Sequence, residues 1–286
     1  MRVDVRERNR LRDCANAFSR SAFTDVLSYD DYSFFNWLYS LYNFKCDTYL
    51  GLVKRVYSII ANSYRCEYVY KNELLARLLK KYGVRNTAYY SEFRVGDSIA
   101  DMAMFNGESK AFEIKTEYDS PRRLDKQLAN YRLFFDKCYL VIPESKLQEY
   151  LPEVDESTGI IVLGDSSGKI TLNEVKDALP ASDFDPATLL SCLRIPEYEH
   201  ILSRLGFDVT PVPGYERYKF SSEVFANAPR TELKSLFLEE IKKRNNNTGF
   251  LKSYPMALRQ MLLSLNLSES RSRLLIDKLN ITINKT

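Results

Sequence analysis

Residues 99–115 read Ile-Ala-Asp-Met-Ala-Met-Phe-Asn-Gly-Glu-Ser-Lys-Ala-Phe-Glu-Ile-Lys. Asn106-Gly107 is the strongest short signal for a β-hairpin, because both residues tolerate the left-handed backbone that a tight reversal needs. On an extended strand, residues two apart share a face. Glu113 and Lys115 therefore point together, and Ile114 points away into apolar surroundings. Pairing about the turn folds Asp101 back towards the strand of Glu113. Two carboxylates and one ammonium are thus expected in one small volume. A metal-dependent phosphodiester hydrolase needs that set: oxygen ligands for a hard divalent cation, and a cation to hold or activate the attacking water. The plainer alternative is a charged edge strand with a cross-strand ion pair, which would be worth little.

The pattern Asp101…Glu113-Ile114-Lys115 resembles the motif of the PD-(D/E)xK nuclease superfamily, whose members share the restriction-endonuclease-like fold. Its neighbours extend the resemblance. Residues 71–80, Lys-Asn-Glu-Leu-Leu-Ala-Arg-Leu-Leu-Lys, predict an amphipathic helix with Glu73 near its start. In the superfamily a helix at this place often supplies one more acidic ligand. Ser120-Pro121 reads as N-cap and first helical residue. The helix it opens would carry Arg123, Gln127 and Tyr131 on one face at four-residue spacing. A Gln here is common among RecB-like and Holliday-resolvase-like members. Arg123 pairing with Asp119, and Gln127 and Tyr131 serving only helix packing, are the simpler readings of those side chains. Cys138–Ile142 reads as a short buried strand. Residues 115–131 are similar to a largely uncharacterised bacterial branch of the superfamily. One position departs from the pattern: Ala100 stands where a Pro often precedes the first acidic residue.

The resemblance spans roughly residues 65–145. It implies an α/β fold with an αβββαβ core and a mixed sheet, flanked by helical N- and C-terminal regions. It also implies Mg²⁺- or Mn²⁺-dependent hydrolysis of phosphodiester bonds in nucleic acid, with DNA as the expected substrate. Asp101 and Glu113 would bind metal, with Glu73 as a further ligand or a water-mediated one. Lys115 would orient the attacking water and stabilise charge on the phosphate, and Gln127 would help position water or the scissile phosphate. A non-catalytic reading stands beside this one: a subunit of a multi-gene defence or counter-defence complex that binds nucleic acid or protein. The helical flanks offer a surface for a protein partner or for a second copy of the chain.

Composition narrows the class. The chain has 286 residues, 45% apolar and 28% charged, which are globular values and enough for about two domains. No run approaches the roughly 20 apolar residues of a membrane helix, and the charged start Met-Arg-Val-Asp-Val-Arg-Glu-Arg has no apolar signal region, so a cytoplasmic protein with no membrane partner is expected. The five cysteines (Cys14, Cys46, Cys66, Cys138 and Cys192) form no Cys-x-x-Cys pair and suggest neither a zinc site nor a disulfide framework. His200 is the single histidine, which argues against His-based nucleases and Ser-His-Asp hydrolases. No Gly-x-x-x-x-Gly-Lys is present.

The net charge of +3 is unevenly spread: +6 over residues 1–90, −2 over 91–150, −6 over 151–230 and +5 over 231–286. The basic ends are candidate phosphate-contacting flanks; simple solubility bias explains the pattern equally well. Residues 1–64 read as helical. The aromatic-rich run 32–44 offers bases to stack on, but its spacing favours core. The nuclease-like region covers 65–180. Within it, 159–163, a turn at 164–168 and 170–172 make an added hairpin. Residues 180–186 read as a linker, and 181–286 as mainly helical, with helices near 229–243, 254–265 and 268–280 separated by a polar loop at 244–249.

Overall fold

In the computed structural model the described residues are 5–181, 183–244 and 248–283. The first residues of the charged N-terminus, Ser182 of the linker and Asn245–Asn247 of the polar loop lie outside them. The elements run α1 (Val5–Asn16), α2 (Arg20–Tyr29), α3 (Ser33–Leu41), α4 (Tyr49–Ser63), α5 (Glu67–Tyr82), β1 (Ala88–Val95), β2 (Ser98–Phe105), β3 (Ser109–Ile114), α6 (Leu124–Arg132) and β4 (Lys137–Pro143). Then follow α7 (Leu147–Tyr150), β5 (Gly159–Ser166), β6 (Lys169–Lys176), α8 (Pro186–Ser191), α9 (Ile195–Arg204), α10 (Arg217–Asn227), α11 (Arg230–Arg244), α12 (Arg259–Ser264) and α13 (Glu269–Leu279). The protein is α/β: one six-stranded mixed sheet in the order β1-β2-β3-β4-β5-β6, with helices on either side in sequence.

The described chain divides into two compact units that interleave along the sequence. The first takes residues up to Gly83, 163–172 and those from 247 onward; the second takes 84–162 and 173–246. Helix starts in the first unit follow local chemistry. Ser19, Thr48 and Ser268 each accept a backbone N–H three residues on, which satisfies a donor the helix cannot. Its core joins Leu52, Val56 and Ile60 of α4, Leu74, Leu75 and Leu78 of α5, Met261 and Leu262 of α12, and Leu275 and Leu279 of α13. The C-terminal helices are therefore part of this core. A bridge between Thr48 and Thr282 fastens the end of the chain to the start of α4. The aromatic run is only partly core: Phe35, Leu38 and Phe44 are buried, while Trp37 and Leu41 stay 45% and 53% exposed.

In the second unit β1, β2 and β3 are antiparallel and β3 and β4 parallel. A parallel pair needs a crossover, and α6 provides it. β3 is buried along its whole length, so Glu113 is carried into the interior by the strand itself. An aromatic cluster of Phe93, Phe105, Phe134, Phe135 and Phe237 packs between the sheet and α11.

Several expectations change in detail. The turn is not a two-residue Asn106-Gly107 loop. Phe105 pairs with Ser109, so Asn106, Gly107 and Glu108 all lie in the connection, with Gly107 at φ 105°. That extra residue sets the site: continuing the register past Met102 opposite Phe112 brings Asp101 opposite Glu113, on one face. A two-residue loop would have set Asp101 opposite Phe112. The hairpin strands β5 and β6 run longer than expected. Gly164, Asp165 and Ser166 are strand, and the reversal is Ser167-Gly168, both at positive φ (53° and 75°). Residues 254–265 are not one helix. Pro255 interrupts them, leaving short 3₁₀ turns at Leu251–Ser253 and Met256–Leu258 before α12. Pro186 opens α8 with Asp185 as its N-cap, so the linker is shorter than expected.

Candidate functional site

The helix after β3 begins at Leu124, not Pro121. Pro121 instead starts a turn closed by the Leu124 N–H on its carbonyl at 2.9 Å, and Arg123 sits there at φ 73°. Asp119 explains the delay. Its Oδ2 accepts the Thr116 N–H at 2.8 Å and the Thr116 hydroxyl at 2.7 Å, which organises the loop before any helix can form. Arg123 is therefore off the helical face it was expected to share, and among the described residues Asp119 is engaged by Thr116 rather than by Arg123. Gln127 and Tyr131, four residues apart within α6, do share a face.

The structure brings five side chains together in the second unit. The Lys115 ammonium donates to Glu113 Oε1 at 2.7 Å and to Gln127 Oε1 at 3.1 Å. The Tyr131 hydroxyl lies 2.7 Å from Glu113 Oε2 and 2.7 Å from the Ile99 carbonyl oxygen. Asp101 Oδ2 accepts the Ile114 N–H at 2.8 Å, which ties it to the Glu-x-Lys strand from the neighbouring one. The Lys115 N–H bonds the Val141 carbonyl at 2.9 Å, so β4 fixes the backbone from the other side. Glu113 is 2% exposed. A carboxyl group that deep needs partners, and among the described residues Lys115 meets one oxygen and Tyr131 the other. Burial, and then the Glu113 carboxylate beside it, push the Tyr131 phenol well above its ordinary range. Tyr131 therefore stays protonated and acts as a donor. Its contact with Glu113 was foreshadowed in the sequence only by the Gln127–Tyr131 spacing.

Arg122, Arg123 and Lys126 are exposed cations that flank Gln127 in the chain. No ion pair engages any of the three among the described residues. A run of cations along a loop and first helical turn beside a carboxylate site is an arrangement that phosphate groups find attractive. Of these, only Arg123 stood out from the sequence.

Glu73 belongs to the first unit. It lies on α5, where the Tyr57 hydroxyl donates to its Oε1 at 2.8 Å and Asn72 Nδ2 donates to that hydroxyl at 2.8 Å. Asn72 in turn accepts the Gln260 N–H at 3.0 Å, linking α5 to α12. Burial raises the Glu73 carboxyl, opposed by the Tyr57 hydrogen bond and by Arg65. A carboxyl raised on folding favours the fold when protonated, and that advantage is lost as pH rises through its folded value. Glu73→Gln keeps an acceptor for Tyr57 without the charge. It should therefore raise the melting temperature more at pH 7 than at pH 4; thermal melts at both values check this, and a pH-independent change would refute it.

Among the described residues no three His, Cys, Asp or Glu side chains gather into one group able to hold a metal. Two carboxylates do converge, Asp101 and Glu113. Mg²⁺ commonly takes one or two carboxylates and completes its shell with water and phosphate oxygens. The two converging carboxylates offer only oxygen donors, and in chemistry they fit Mg²⁺ or Mn²⁺. No helix among the described residues is long and apolar enough to cross a membrane.

Comparison with known proteins gives one line of descent. The chain is 24% identical over 151 residues to the protein cII of Enterobacteria phage P4, a match that spans 52% of this chain and 56% of that protein. No solved structure matches. The family model described as bacteriophage P4 protein cII matches residues 60–267, a stretch that contains Glu73, Asp101, Glu113, Lys115, Gln127 and Tyr131, and the chain belongs to that family.

Proposed function

We propose that this protein is a divalent-metal-dependent nuclease that hydrolyses phosphodiester bonds in DNA, and that β1 through β4 with α6 belong to a restriction-endonuclease-like core. The observation that carries the reading is the convergence of Asp101, Glu113 and Lys115, with Gln127 on the ammonium and Tyr131 on the carboxylate. The order α5, β1, β2, β3, α6, β4 supports it.

Asp101 and Glu113 would hold the cation. When bound, it supplies neutralisation of phosphate charge and acidification of water. The chain's own groups do the rest. Lys115 is held 2.7 Å from Glu113 and 3.1 Å from Gln127, and a substrate phosphoryl oxygen offers its ammonium a third acceptor. Charge on that oxygen grows in the transition state, so the contact strengthens where it lowers the barrier. Gln127 accepts from Lys115 through its oxygen, which leaves its NH₂ to orient water or phosphate. An amide cannot serve as the base. Tyr131, a protonated donor, fixes one Glu113 oxygen and so sets the direction of the other.

The experiment is plasmid cleavage with Mg²⁺ or Mn²⁺ against a chelator control. Cleavage should appear with either metal and vanish in chelator, while Ca²⁺ supports little turnover. Cleavage undiminished by chelator overturns the metal, and none under any condition overturns the enzyme. The rival reading, an inactive nucleic-acid- or protein-binding subunit, draws on the same geometry: both Glu113 oxygens are already engaged within the chain.

The exposed cations yield a separate expectation. Replacing Arg122, Arg123 and Lys126 together with Gln should weaken DNA binding and flatten its dependence on log salt, by about 0.9 in slope for each phosphate no longer neutralised. Fluorescence anisotropy across a salt series measures it. An unchanged slope moves the phosphate-contacting surface elsewhere, most directly to the basic N-terminal region.

A further inference from the structure

The second unit carries a groove remote in chemistry from the carboxylate site. Gly206, at φ 88°, reverses the chain after α9, and the Phe207 N–H bonds back to the Leu202 carbonyl at 2.9 Å. This presents Leu205 and Phe207 to α10, whose Phe220 and Val224, four residues apart, face the same space. Phe207 and Phe220 meet edge to face with centroids 6.2 Å apart. The cavity is about 380 Å³, room for more than one large apolar side chain. Phe207 is 43% exposed, so much of its ring remains in water beside Phe220.

Charge identifies the occupant. Glu223 of α10 and Glu232 of α11 line the groove. Both are exposed, and neither meets a cation within ion-pair distance among the described residues. An apolar floor with carboxylates on its walls matches a segment whose apolar anchors are flanked by Lys or Arg.

We propose that this groove is a docking site for a cationic amphipathic helix of a partner protein, with apolar anchors seated on Phe207, Phe220 and Val224 and basic residues meeting Glu223 and Glu232. The helix-in-groove mode supplies affinity through the anchors and selectivity through the rim charges. The proposal is independent of whether the carboxylate site turns over.

The test uses the full chain and two fluorescein-labelled synthetic helices. Both carry Leu anchors at four-residue spacing; one has Lys flanks and the other Glu flanks in the same positions. The Lys-flanked helix should bind at least about tenfold more tightly by anisotropy. The double variant Glu223→Lys/Glu232→Lys should reverse that preference, and Phe207→Ala should weaken the Lys-flanked helix with the rim intact. If the double variant melts below the wild type, Glu223→Gln/Glu232→Gln takes its place and should level the two affinities. Equal binding of the two peptides, no binding of either, or no response to the rim variants overturns the proposal. A charge response with no effect of Phe207→Ala also overturns it, because diffuse attraction to an acidic surface would explain the result without a groove.

Discussion

Lys115→Ala should abolish cleavage, by about a hundredfold or more, and should also lower stability by about 3–5 kcal/mol, the range for removing one partner of a buried ion pair. The second effect comes from the structure. From the sequence alone, Lys115 is a surface-strand cation whose loss costs only a transition-state interaction, with folding largely intact. In the fold its side chain is 12% exposed and its partner Glu113 only 3%. Removing the ammonium leaves a carboxylate deep in β3 with, among the described residues, Tyr131 as its remaining side-chain donor. Lys115→Arg should recover part of the stability and little of the rate. A planar fork cannot reproduce a compact ammonium that reaches Glu113 Oε1 and Gln127 Oε1 together. Denaturant melts and single-turnover cleavage on the same preparations separate the two effects. A variant that loses stability but cleaves at the wild-type rate would reduce the Glu-x-Lys to a structural ion pair.

The features legible in the sequence were those with a local cause. Alternation and the Asn-Gly turn located β2 and β3, and the apolar run at 138–142 located β4. The i, i+4 spacing of Gln127 and Tyr131 put both on the face that meets the site. Other features depended on contacts between segments far apart in the chain. Pro121 is a good first helical residue, but the Thr116–Asp119 turn claims the backbone first and delays α6 by three positions. The loop length at 106–108 is set by pairing along the whole of β2 and β3, and it decides whether Asp101 and Glu113 share a face. Glu73 was legible as an acidic residue near a helix start. Its Tyr57–Asn72–Gln260 chain was not, because it joins residues 188 positions apart. The interleaving of the two units has no local mark at all: nothing in residues 259–279 by themselves says that they pack with α2, α4 and α5.

Glu113→Gln should also be destabilising, by about 3 kcal/mol, and this reverses what charge counting suggests. Two carboxylates on facing strands look like a repulsive pair, so neutralising either would be expected to raise apo stability or leave it level. The geometry removes that repulsion as the controlling factor. Glu113 already has an ammonium on one oxygen and a phenol on the other, so losing its charge leaves Lys115 a largely buried cation with neutral amide oxygens in place of a carboxylate. Asp101→Asn keeps an oxygen for the Ile114 N–H and should cost less. The double variant Glu113→Gln/Lys115→Met tests the cause. It removes both charges while keeping the volume of each side chain, so it should be more stable than either single variant, with a coupling of about 2 kcal/mol in a double-mutant cycle. The metal reading adds a second readout on the same proteins. Wild type should gain melting temperature with Mn²⁺, and Glu113→Gln and Asp101→Asn should both lose that gain. Additive single-variant effects would show that Lys115 and Glu113 do not depend on each other. A metal-induced gain that survives in both carboxylate variants would take the cation away from this site, even with the ion pair intact.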